Sequence, residues 1–273
     1  MPVFYHEQQG TTKGNQVVLV TGATGAIGQA IARQLAMKET YTVVLLGRDE
    51  QKSRRAVAEI KRATGSDAVW YELADVSRKS SIQDLAARWP GQLDVLINNA
   101  AVTPRQRLET PEGIELQFAT NVLGYVWLTE ALAEHLKLSA PSRIVNIASY
   151  WAGGLDVNDL EFKRRRYNNN EAYRQSKQAN RMLSTAYAER LRTDQIMVNS
   201  CHPGDVNSKL SNNLGFGGHE SPDQGAETPV WLATSPVGAS QTGKYFERER
   251  EVRCRFAADK TAVEALYEAC LRY

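Results

Sequence analysis

The chain has 273 residues, which allows one large domain or two small ones and is long enough to bury a core without disulfides or metals. Hydrophobic residues make up 42% and charged residues 23%, a composition that excludes a disordered chain. With 33 basic against 31 acidic side chains the net charge is +2, so the charge balance gives no reason to expect nucleic acid or a membrane surface as partner.

The first residues, MPVFYHEQQGTTKGNQ, are polar and lack an apolar core, so no secretory signal is expected. Residues 1–15 are read as an N-terminal extension and 16–273 as one domain. Val17–Val20 is a short apolar β-branched strand, followed by the Gly-rich TGATGAIG and an amphipathic helix, QAIARQLAMK. Tyr41–Leu46 is a second buried strand. Asp49 then starts a charged helix that Gly65 ends. Ala68–Leu73 is a strand, Ser77–Trp89 a helix and Pro90-Gly91 a turn. Leu93–Ile97 is a fourth strand, and a long amphipathic helix is expected over about 110–138. Arg143–Ile147 is a fifth strand, Glu171–Arg192 a long helix and Ile196–Ser200 a sixth strand. A looser segment, 204–223, precedes a helix at Glu227–Ala233, a last strand at Lys244–Phe246 and a terminal helix at Ala258–Leu271. Strands alternating with helices, without linker or repeat, predict one α/β domain: a Rossmann-type, doubly wound parallel sheet with helices on both faces.

Cys201, Cys254 and Cys270 have no CxxC spacing, so isolated thiols in a reducing compartment are expected rather than a disulfide framework. His6, His135, His202 and His219 are scattered, and no metal is assigned. No apolar run is long enough to span a bilayer, and a cytoplasmic location is expected.

TGATGAIG sits at the first βα turn. There Gly22 and Gly25 allow a tight turn and close approach to a pyrophosphate, and Gly28 lets the helix pack on the strand. The second strand ends at Gly47-Arg48, where an NAD site would carry a carboxylate for the ribose hydroxyl. An Arg there can pair with a 2′-phosphate, so NADP (NADPH) is favoured over NAD. Tyr173 and Lys177 fall four apart on a helix and share a face. Ser149 ends the fifth strand, at the carboxyl edge where ligands bind in such sheets, and Asn121 is a polar residue inside an apolar helix.

TGATGAIG, Asp75-Val76, NNA at 98–100, Asn121, Ser149, YRQSK and PGDVNS at 203–208 together resemble the short-chain dehydrogenase/reductase family. The order matches, and the surrounding text looks most like the retinol dehydrogenase and carbonyl reductase branches. Departures are Ala26 in the glycine motif, Ala101 after NNA, Ala148 beside Ser149, and a long Ser149–Tyr173 stretch containing KRRR at 163–166.

The resemblance implies an NADP(H)-dependent oxidoreductase that interconverts a small-to-medium apolar aldehyde or ketone and its alcohol. Tyr173 would be the general acid/base, Ser149 would hold the substrate oxygen, and Asn121 would anchor a water relay. Lys177 would bond the nicotinamide ribose and lower the Tyr173 pKa from about 10 by about three units. Gly22, Gly25, Ile27, Gly28, Arg48, Asp75, Val76, Asn99, Ala100, Pro203, Gly204, Val206 and Ser208 would meet the cofactor together with Tyr173 and Lys177. Trp151, Leu210, Leu214 and Phe216 would line the substrate side with Ser149 and Tyr173. The terminal helix either closes the pocket or serves a homodimer interface. The alternatives are a non-catalytic dinucleotide sensor, which needs neither acid nor relay, and a sugar-nucleotide epimerase, which needs a separate substrate domain.

Overall fold

The strands are apolar on successive residues because both faces of the sheet are covered. In the computed structural model, which describes residues 4–8 and 14–273, β1 (Gln16–Thr21) shows why. Val17 and Leu19 enter one core cluster, while Val18 and Val20 enter another on the opposite face.

The chain continues through α1 (Ala26–Ala36), β2 (Tyr41–Gly47), α2 (Glu50–Thr64), β3 (Val69–Leu73), α3 (Lys79–Arg88) and β4 (Val95–Asn98). Next come α4 (Leu116–Phe118), a π-helical segment (Ala119–Leu123), α5 (Gly124–Ala131) and α6 (Ala133–Lys137). Then follow β5 (Ser142–Ile147), α7 (Asn169–Arg190), β6 (Ile196–His202), α8 (Lys209–Leu214), α9 (Pro222–Thr234) and α10 (Pro236–Ser240). β7 (Tyr245–Glu247), β8 (Arg250–Val252) and α11 (Lys260–Leu271) complete it. The sheet order is β3-β2-β1-β4-β5-β6-β7-β8, parallel up to β7 and antiparallel at β8. This is the expected doubly wound α/β sheet. Its order reverses between β1 and β4, opening a crevice at their carboxyl ends.

Several elements differ from expectation. The long 110–138 helix is four pieces. Thr110–Ile114 is instead a turn with Gly113 at φ +77°, closed by Thr110 N–H to Ile114 O at 2.8 Å. Glu115 then starts the helix, its carboxylate accepting from the N–H groups of Gln117 and Phe118. The 204–223 segment contains α8, held by a Ser208–Ser211 capping box. α9 begins at Pro222, ahead of the expected 227, because Ser221 and Gln224 cap it. β8 and α10 were not expected. Of the N-terminal extension, residues 1–3 and 9–13 lie outside the described residues, but Tyr5 is buried with its ring 5.2 Å from that of Trp89.

Candidate active site

The crevice at the sheet switch point is a cavity of about 700 Å³. Beneath it Thr21, the last residue of β1, is fully buried. Its Oγ1 accepts from the N–H groups of Asn99 (2.8 Å) and Ala100 (2.9 Å), while Asn99 Nδ2 donates to Thr21 O at 2.8 Å. The Gly-rich turn is thereby pinned to the NNA segment after β4.

The glycines are needed by contact. Gly22 has φ +62°, and a Cβ there would lie 2.8 Å from Ala100 Cα. A Cβ on Gly28 would lie 2.5 Å from Gly22 O and 2.6 Å from Asn99 Nδ2. Helix α1 starts at Gly25 without a side-chain cap, and Gly25, Ala26, Ile27 and Gly28 line the cavity. Uncapped N–H groups at a helix N-terminus, with a glycine backbone open to close approach, fit a pyrophosphate.

Arg48, Asp75, Val76, Asn99, Ala100, Pro203 and Ser208 line the same cavity, as does Thr24. Arg48 is exposed at the rim. Gly47 has a steric reason of its own: a Cβ would lie 2.5 Å from Ser53 Oγ. Asp49 caps α2, accepting from Lys52 N–H at 3.0 Å, and that bond holds its carboxyl below the ordinary range. Asp75 Oδ1 accepts from Ser77 N–H (3.0 Å) and Ser77 Oγ–H (2.7 Å), which shapes the turn after β3.

Tyr173 and Lys177 lie one turn apart on α7 and both are buried at the inner end of this cavity. A second cavity of about 380 Å³ meets the first at Ile27, Tyr173, Pro203, Ser208 and Leu210. Ser149, Trp151, Gly204, Val206 and Phe216 line this second space. Gly204 and Val206, expected against the cofactor, therefore face the smaller cavity. Leu214 lines neither and is buried at the end of α8.

The electrostatics differ from the expected balance. Burial pushes Tyr173 up to about 12, opposed by its hydrogen bond with Ser149. Lys177 donates from Nζ to Ile147 O at 2.8 Å, and burial pulls it down to about 7. Desolvation thus sets the tyrosine, and what opposes it is the Ser149 hydrogen bond and not the expected Lys177 ammonium. Asn121 sits in the π-helical segment, fully buried. Its Oδ1 accepts from Val102 N–H (2.8 Å), and its Nδ2 donates to Val102 O (3.1 Å) and Ser176 Oγ (3.3 Å). It clips the cavity-lining loop after β4 to the turn of α7 that carries Lys177. In the KRRR run, Lys163 pairs with Glu161 at 2.8 Å and Arg165 with Asp159 at 3.1 Å.

A doubly wound sheet with a glycine turn and an uncapped helix end at its switch point is an arrangement that suits a dinucleotide. The family model for short chain dehydrogenase matches residues 16–216, and the chain belongs to that family. It is accordingly an oxidoreductase dependent on a nicotinamide dinucleotide. It is similar to human Retinol dehydrogenase 13, with 34% identity over 252 residues, covering 85% of this chain and 76% of that protein. Mouse Retinol dehydrogenase 12 is 33% identical over 271 residues, covering 93% and 85%. Among solved structures, an uncharacterized protein from Mycobacterium paratuberculosis superposes with a TM-score of 0.79 at 28% identity, covering 94% of this chain and 92% of that one. Among the described residues no helix is long and apolar enough to cross a membrane.

Proposed function

We propose that the protein is an NADP(H)-dependent reductase or dehydrogenase that interconverts a small-to-medium apolar aldehyde or ketone and its alcohol. The observation that carries this reading is Tyr173. It is a buried hydroxyl bonded to Ser149, standing where the two cavities meet. When bound, the dinucleotide supplies the hydride.

The chain's own residues handle the proton. Held up at about 12, Tyr173 keeps its proton through neutral pH and gives it to the carbonyl oxygen, the direction that suits reduction. Ser149 orients that oxygen through its contact with Tyr173. Lys177 lines the larger cavity and would bond the cofactor's ribose. Asn121 acts through the α7 turn that it clips, and would anchor a water through which Lys177 exchanges protons. Arg48 at the rim beside Gly47 supports the preference for a 2′-phosphate. Trp151, Leu210 and Phe216 give the substrate side its apolar wall.

The test is loss of NADPH absorbance with a panel of aldehydes and ketones, run beside Tyr173→Phe. The variant should lose about 100- to 10,000-fold in rate while its NADPH affinity stays within a few-fold. Turnover close to the parent on an active substrate would overturn the assignment.

A further inference from the structure

The smaller cavity carries a carboxylate that the proposed chemistry does not use. Asp205 follows the Pro203-Gly204 turn, and its side chain, 32% exposed, lines the cavity wall. Its own partners are weak. The Tyr150 hydroxyl lies 3.5 Å from Oδ2, and His202 Nε2 lies 4.0 Å from Oδ1. Burial pushes His202 down to about 4, so its ring is neutral near pH 7 and does not balance Asp205.

The neighbouring cations are engaged elsewhere. Arg181 stacks over the Tyr245 ring at 3.5 Å and sits 3.7 Å from Glu247. Arg248 is 3.5 Å from Glu220, whose Oε2 is buried without a hydrogen-bond partner. Among the described residues that line this cavity none is Lys or Arg. Aromatic rings form part of its wall, beside apolar and small polar residues and the imidazoles of His202 and His219. Trp151 has its ring 5.9 Å from that of Tyr173 and 5.6 Å from that of Phe216, and Tyr150 stands beside them. Aromatic faces beside an unbalanced carboxylate attract a cationic group and disfavour an anionic one.

We propose that Asp205 is a specificity-determining residue which, with the Trp151–Phe216 wall, selects carbonyl substrates whose apolar body ends in a protonated amine. The proposal rests on the reading of Tyr173 as a carbonyl-reducing site. The amine takes no part in the chemistry. Asp205 shares the cavity with Tyr173 and acts on it electrostatically.

The test uses three aryl ketones of one shape: one ending in dimethylammonium, its uncharged isopropyl isostere, and an analogue ending in carboxylate. With NADPH, kcat/KM should be about tenfold higher for the ammonium ketone than for the isostere, and lowest for the carboxylate. Asp205→Asn should bring the ammonium-to-isostere ratio close to one. Calorimetric binding of the same ketones to protein saturated with NADP+, where no reduction occurs, should show the same order. Equal binding of the three, or a preference that survives Asp205→Asn, would overturn the proposal. No turnover on any ketone, with the ammonium preference intact in binding, would overturn the reduction chemistry and leave the recognition site standing.

Discussion

On the proposed reading, Arg48 decides the choice between NADPH and NADH. It is exposed at the rim of the larger cavity, where charge-assisted bonds to a 2′-phosphate would contribute roughly 10- to 150-fold in affinity. Arg48→Ala should weaken NADPH by about that factor and leave NADH nearly unchanged. Titration of both by nucleotide fluorescence checks it, and an equal loss for the two would mean Arg48 reads no 2′-phosphate. Introducing a carboxylate at Gly47 needs Ser53→Ala as well, because the new Cβ would meet Ser53 Oγ. Lys177 gives a pH prediction. Its pKa is about 7 when folded and about 10.4 when unfolded, so between these values the unfolded chain binds more protons. Stability should therefore fall as pH drops from about 10.4 to 7. In Lys177→Met that part of the slope should vanish in denaturant titrations. That Tyr173, Lys177, Ser149 and Arg48 line the two cavities was legible from strand ends, helical spacing and the motif resemblance. Asp205 carries no such signal inside PGDVNS, because its lack of a charge partner depends on how His202, Arg181 and Arg248 are placed in the fold.

At the scale of elements, the segment from α4 to α5 links packing to the cofactor. Gly124 opens α5, directly after the π-helical turn that holds Asn121, and a Cβ there would lie 2.6 Å from Val76 O. Gly124→Ala should destabilise the fold by about 1–3 kcal/mol, as overpacking does, and should displace the Asp75-Val76 turn. Chemical denaturation and NADPH affinity should both respond. Unchanged affinity would show that the turn tolerates the shift. The apolar periodicity of 110–138 made a single helix plausible. Gly113 and the Glu115 cap end it early at one side, and the π-helical segment alters its phase. The α9 start was legible in Ser221, Pro222 and Gln224 and was missed by following apolar residues alone. α8 was not legible in the same way, since six residues held by two serines show no usable period.

For the molecule as a whole, the cofactor crevice joins distant parts of the chain. Thr21, Asn99, Tyr173 and Ser208 come from separate elements and meet only when the sheet is formed. A ligand that binds there stabilises the folded state by about 2.7 kcal/mol at 100 times its dissociation constant. For a domain of this size that corresponds to roughly 5–10 °C in Tm. NADPH should raise Tm more than NADH at equal concentration, and Arg48→Ala should remove the difference. Equal shifts in the parent would argue against the NADP preference.

By itself the sequence determined the alternating α/β plan, the glycine turn and the Tyr173–Lys177 pair, because each follows from local spacing: strand runs, turn chemistry and one helical turn. The tertiary structure decided what depends on surroundings. Burial raises Tyr173 and lowers Lys177, against the simple pairwise expectation. Steric contact with Ser53 explains Gly47, and Thr21 binds the NNA segment from the neighbouring strand. Desolvation, close contact and long-range hydrogen bonds belong to three-dimensional neighbours, which the order of residues along the chain does not display.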